Sequence, residues 1–268
     1  MGLAATSSCW IGTSWKMTKT LAEARHYTAG LAETVQARPE LTDAVQAFVI
    51  PPHTALAEVD RQLQHVQAQV LLGAQNAHWE DAGAWTGEIS VPQAADAGAR
   101  LIEIGHSERR EHFGETVETT ALKVRAALRH GLRPLLCVGE PAAVRDVGDA
   151  EEFILAQVRG ALAGLDSAQL ARVLVAYEPI WAIGEHGRPA TVQELSAPFA
   201  ALDRAYGAQV EAVLYGGSVN QDNAAELLGI PGVDGLFVGR SAWGLDGYLE
   251  LLEIGASHGR AHRGRLDG

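Results

Sequence analysis

The chain has 268 residues, 47% of them apolar, and a formal net charge of −12 from 33 acids against 21 bases. That balance disfavours nucleic acid or an anionic membrane as the main partner, so an anionic ligand has to be held by local groups. No apolar run of about eighteen residues and no charged-then-apolar leader pattern occurs, and the chain reads as a soluble cytoplasmic protein.

Met1-Gly2-Leu3-Ala4-Ala5-Thr6 formally fits a myristoylation pattern, but the pattern is short and degenerate and carries no weight alone. The two cysteines, Cys9 and Cys137, sit at the edge of or within apolar runs, which suits buried free thiols better than a disulfide. Apolar, β-prone runs recur at 10–13, 47–50, 70–72, 101–104, 135–138, 173–176, 212–215 and 236–238. Between most of them lie segments with helical spacing, among them 21–35, 119–130, 151–162 and 193–206, with a helix-start signal at Thr191. Eight short apolar strands alternating with helices are the pattern of a parallel α/β sheet buried on both faces. A closed (β/α)8 barrel spanning residues 1–268 as a single domain is the first expectation, with a frayed basic tail over about 256–268. A doubly wound open sheet competes, but the turn after the first strand reads Thr13-Ser14-Trp15-Lys16 rather than G-x-G-x-x-G.

In a barrel, the residues just past each strand's C-terminal end share one mouth. Here the first strand is followed by Lys16, the fourth by His106, Ser107 and Glu108, and the sixth by Glu178. The seventh is followed by Gly216-Gly217-Ser218-Val219 and the eighth by Gly239-Arg240-Ser241. A lone Glu at a strand tip is as readily a solvated acid, but an imidazole and a lysine at the same mouth give Glu178 something to work with. Glu178 as base and His106 as donor to a developing oxyanion suit proton abstraction beside a carbonyl. Lys16 would add positive charge, and the Gly-rich turns offer N–H groups to a phosphate. Spacings for zinc proteases, P-loop nucleotide hydrolysis and serine nucleophiles are missing, and His106, Glu108 and His112 are too irregular for a metal cluster. The residues therefore read as a cofactor-independent acid–base enzyme acting on a small anion. The loop from Gly73 to Glu88, carrying Trp79 and Trp85 in a polar setting, is too long for a tight connection and reads as a docking surface for a second copy.

Four collinear stretches carry a more specific likeness. Ser14-Trp15-Lys16-Met17, Gly105-His106-Ser107-Glu108-Arg109-Arg110, Ala176-Tyr177-Glu178-Pro179-Ile180-Trp181-Ala182-Ile183-Gly184 and Tyr215-Gly216-Gly217-Ser218-Val219 resemble the triose-phosphate isomerase family, from Trp10 to about Leu252. The resemblance implies a TIM barrel with Glu178 as the base, His106 as a neutral electrophile and Lys16 as the charge that steadies an enediolate, roles for which that enzyme is a familiar worked case. It implies Glu108 as the partner of Lys16, Pro179-Ile180-Trp181 as a lid hinge, and Gly184, Ser218 and Gly239 as substrate-binding positions. It further implies a homodimer in which Thr86 reaches into the neighbouring subunit's site.

The chain departs from that pattern at Ser14, where most members carry Asn, and at Gly239-Arg240, where a Gly-Gly pair is usual. Its lid, Gly184-Glu185-His186-Gly187-Arg188, is one residue longer and carries an added acid and imidazole. These departures, with Ile11-Gly12-Thr13 and Gly235-Leu236-Phe237-Val238, resemble the branch of the family that isomerises erythrulose phosphate in tetritol catabolism. The expectation is that L-erythrulose 1-phosphate becomes D-erythrulose 4-phosphate, with Ser14, Arg240 and the longer lid accommodating the extra hydroxymethyl group. Ordinary triose-phosphate isomerisation and a barrel that only binds a sugar phosphate are the competing readings.

Overall fold

In a computed structural model, the structure describes residues 9–65, 67–184 and 187–266, the last six of these by backbone alone. Eight strands form a closed parallel barrel: β1 Cys9–Ser14, β2 Val45–Ile50, β3 Val70–Ala74, β4 Leu101–Ile104, β5 Arg133–Val138, β6 Leu174–Tyr177, β7 Ala212–Tyr215 and β8 Gly235–Val238. Each pairs with its neighbour in sequence, and β8 closes onto β1 through the register Trp10↔Gly235 to Thr13↔Val238. The open-sheet alternative is thereby excluded.

Alternation along each strand sorts the apolar runs into two cores. Outward residues such as Ile11, Val45, Ala47, Val49, Val175 and Val213 pack with the surrounding helices. Inward residues, Trp10, Phe48, Leu101, Leu135, Leu174, Leu214 and Phe237 among them, fill the barrel itself. Phe48 stacks on Phe237 at 5.8 Å between ring centroids and meets the edge of Trp10 at 6.2 Å. Glycine at position 12 makes that plug possible, because a Cβ there would stand 2.0 Å from the Phe48 ring.

The helices begin where their caps dictate. Thr20 caps Leu21–Ala37 and Thr191 caps Val192–Leu202, each side-chain oxygen accepting from a backbone N–H three residues on and each Glu at that position reaching back. A π-helical turn, Asp203–Gly207, ends the second of these short of the regular helix that the spacing suggests through 206.

Where the sequence suggests a frayed tail from about 256, the last helix runs Leu245–Leu266. The physical reason is close packing on the closed end of the barrel. Ala256 is buried, and Gly259 lies so near Ala44 that a Cβ would meet its carbonyl oxygen at 2.7 Å. Residues 267–268 of that tail lie outside the described residues.

Candidate active site

The C-terminal ends of the strands surround a cavity of about 580 Å³. Ser14, Lys16, His106, Glu108, Glu178, Gly184, Ser218, Gly239 and Arg240, scattered over more than 200 positions of sequence, all line it. The barrel explains the convergence: strand ends that are remote in sequence become neighbours around one ring.

Glu178 follows β6, its backbone N–H bonded to Val138 O at 2.8 Å, and its side chain turns inward and is 3% exposed. Gly216 makes room for it, since a Cβ there would sit 2.6 Å from Glu178 Cγ. Oε2 of Glu178 is buried without a hydrogen-bond partner among the described residues. Burial, and then the nearby Glu103 carboxyl, push the Glu178 acid up to about 8. In its ionised form a carboxylate so placed binds a proton more tightly than an ordinary one.

Opposite it, His106 caps the helix Ser107–Phe113. Its Nδ1 accepts the Glu108 backbone N–H at 3.2 Å, so in the neutral ring the proton sits on Nε2. That nitrogen faces Glu178 Oε2 at 3.6 Å, too long for a direct hydrogen bond and close enough for one reacting group to bridge the two. Burial, and then the charge of Lys16, lower the His106 pKa to about 4. The ring is therefore a neutral donor at ordinary pH.

Lys16 adopts φ 49°, a left-handed conformation that a non-glycine residue rarely takes. The strained backbone aims its ammonium at the mouth, where it pairs with Glu108 at 2.7 Å. This is the pairing that the likeness implies. Strain at Lys16 and isolation at Glu178 are both unfavourable to folding and both point into the same cavity.

The loop after β6 is tied to its surroundings through Trp181. Trp181 Nε1 donates to Glu140 Oε1 at 2.7 Å, and the Tyr177 hydroxyl donates to the same oxygen at 3.2 Å. The guanidinium groups of Arg145 and Arg188 lie 4.4 and 4.7 Å from the Trp181 ring centroid. Ser218 Oγ donates to Ala182 O at 2.6 Å, and the Arg240 guanidinium donates to Gly184 O at 2.8 Å. Arg240 thus lines the cavity and donates to the backbone of the loop after β6. Glu185 and His186, the added acid and imidazole of the lid tip, lie outside the described residues.

The structure does not bring Thr86, Trp79 or Trp85 to the cavity of this chain. They lie in the loop after β3, where His78 stacks between Trp79 and Trp85 at centroid distances of 4.2 and 4.4 Å. Asp81 holds that loop to Arg129 and His130, while Trp85 remains 49% exposed and Thr86 stands in an exposed run. The stack leaves one face of Trp85 open to solvent.

One residue of the cavity escapes a reading of strand ends. Glu103 lies within β4, facing inward, 4% exposed and lining the same cavity. Ser14 Oγ donates to its Oε2 at 2.9 Å. Burial raises its pKa to about 7. The signal was its placement, a carboxylate two residues before Gly105 on the face that Leu101 shares.

Among the described residues, no three His, Cys, Asp or Glu side chains converge as metal ligands would, and no helix is long and apolar enough to cross a membrane. Both cysteines are buried free thiols.

A family model described as triosephosphate isomerase matches residues 9–255. A protein of Mycolicibacterium smegmatis named L-erythrulose-1-phosphate isomerase is 63% identical over 252 residues, 94% of this chain and 95% of that one. Proteins of the same name from Mesorhizobium japonicum and Rhizobium meliloti are 54% and 51% identical, covering 91% and 92% of this chain and 95% and 96% of theirs.

Proposed function

Since this chain belongs to the triosephosphate isomerase family, we propose that it isomerises L-erythrulose 1-phosphate to D-erythrulose 4-phosphate, without a cofactor, by enediol proton transfer. The observation that carries the substrate is the 63% identity to a relative of that name along nearly the whole of both chains. The chemistry rests on a buried Glu178 carboxyl, its Oε2 without a hydrogen-bond partner among the described residues, facing a neutral His106.

The substrate is a ketose whose carbonyl lies at C2 and whose C3 bears a hydrogen, a hydroxyl and a hydroxymethyl group. Glu178 takes the C3 proton. The electron pair of that bond forms the C2–C3 double bond while the C2 oxygen gains negative charge, met by the His106 Nε2–H and the Lys16 ammonium. The imidazole gives its Nε2 proton to the C2 oxygen and takes the C3 hydroxyl proton in return, C3 becomes the carbonyl, and Glu178 returns its proton to C2. Gly184, Ser218, Gly239 and Arg240 gather at the phosphate end, with Arg240 steadying the lid backbone. The exclusion of water by that lid keeps the enediolate from losing its phosphate.

The protein works in the cytoplasm as a homodimer, its Trp79–Trp85 loop docking on a second copy and delivering Thr86 to the neighbouring site. Trp85→Glu should then give monomers of low activity by light scattering and rate together; a fully active monomer removes this docking. Turnover of L-erythrulose 1-phosphate in D2O, followed by NMR, tests the reaction itself. The expected product is D-erythrulose 4-phosphate with deuterium at the carbon that receives the proton. Conversion with no solvent label at any stage would sink the acid–base route.

A further inference from the structure

Glu103 is a buried acid that the proton transfer above leaves without a task. Among the described residues, its side chain receives one hydrogen bond, from Ser14; it lies near the Glu178 carboxyl and Lys16 and shares the inner face of the barrel with apolar residues. Leu101 lies two residues before it on the same face, and Leu135, Leu174 and Phe237 fill the barrel nearby. A carboxyl in such surroundings costs folding free energy that an apolar residue would not. A group kept there at that cost, and bordering the ligand cavity, is best explained by what enters the cavity.

Topology says which part of a ligand arrives there. The phosphate end is held by the loops after β6, β7 and β8, through Gly184, Ser218, Gly239 and Arg240. In a ring of eight strands taken in sequence order, β4 stands opposite β8. The end of the substrate remote from phosphate therefore points toward β4, and Ser14 reaches from β1 to meet Glu103 there. Resting on the function proposed above, the remote end is the C4 hydroxymethyl group carried on C3, one carbon beyond the last carbon of a triose phosphate.

We infer that Glu103, held by Ser14, hydrogen-bonds the terminal hydroxyl of the four-carbon substrate through its second carboxyl oxygen and is the residue that sets preference for it over triose phosphates. The Ser14 hydroxyl occupies one carboxyl oxygen, Oε2, which fixes the plane of the carboxyl and leaves Oε1 for the ligand. A triose phosphate leaves that oxygen unmatched. Sites built to hydrogen-bond a substrate hydroxyl discriminate far more strongly than pockets that merely fit a methylene, by about 10⁴-fold or more against roughly 10²-fold.

The test compares kcat/KM for L-erythrulose 1-phosphate and dihydroxyacetone phosphate in the full-length protein and in Glu103→Leu and Glu103→Gln. The expected result is a fall of roughly 10²-fold or more in the tetrulose-to-triose ratio for Glu103→Leu, with partial recovery in Glu103→Gln, which keeps an acceptor. Inhibition by D-erythritol 4-phosphate, relative to sn-glycerol 3-phosphate, should weaken in the same order, placing the effect on binding of the extra carbon. If Glu103→Leu fails to fold, Ser14→Ala supplies the readout and should lower the ratio in the same direction. Equal losses on both substrates, or an unmoved ratio, overturn the role of Glu103 while a tetrulose-preferring parent protein leaves the function standing. A parent protein that prefers the triose overturns the function instead.

Discussion

The two halves of the barrel interior are built from the same strands and obey opposite rules. Toward the closed end, Trp10, Phe48, Leu135, Leu174 and Phe237 interlock in an apolar plug. Toward the mouth, the same inward face carries Ser14, Glu103 and Glu178, and the backbone at Lys16 is strained. Two residues along a strand separate the halves: Leu101 from Glu103, and Ala176 from Glu178. The plug supplies stability that the mouth spends on holding acids out of water, which is how a rigid scaffold can keep reactive groups poised.

The largest expected effect is at the mouth. Glu178→Gln should lower kcat by roughly 10²–10⁴-fold, the usual worth of a general base, while phosphate-ligand binding stays near that of the parent. Survival of activity would mean that the base is elsewhere. In the plug the consequence should be reversed: Phe48→Ala should cost about 3–5 kcal/mol of stability by leaving a cavity. Urea unfolding measures it, and a loss below about 1 kcal/mol would mean that the plug is not what holds the barrel.

The smallest effect concerns pH. Raised from 4.5 to about 7 and about 8, the Glu103 and Glu178 carboxyls keep protons in the folded protein that the unfolded chain releases at lower pH. The fold therefore binds more protons, and its stability falls as pH rises from about 4.5 through these values. Glu103→Leu should raise stability by ~1–3 kcal/mol at pH 8.5 and by less at pH 5, read from thermal unfolding of the ligand-free protein. A gain that does not change with pH would show that Glu103 does not keep its proton as the fold suggests. With Glu103 gone, the Glu178 acid should also fall, moving the rise of kcat/KM with pH to lower values, because Glu103 is one of the groups that push it up.

Much of this was legible in the sequence, and for a definite reason. Strands buried on both faces leave short continuous apolar runs, and the polar residue that ends each run marks the mouth, so Lys16, His106 and Glu178 could be gathered without coordinates. The same continuity hides Glu103. In a run apolar on both faces, nothing distinguishes the inward side, and an acid inside it looks like an interruption of the strand. Arg240 stands out in the sequence because a second glycine is usual there, but its bond to Gly184 O depends on the path of a loop. The tail escaped for another reason: glycines that lower helix propensity at 255 and 259 are the ones that let the last helix pack close to Ile11 and Ala44.

A barrel mouth built for a four-carbon sugar phosphate has to show that preference in turnover. The most direct test is kcat/KM of the purified protein on L-erythrulose 1-phosphate and on dihydroxyacetone phosphate, measured side by side. A clear preference for the tetrulose phosphate is the expected result, and an equal or greater kcat/KM on the triose phosphate would overturn the four-carbon reading.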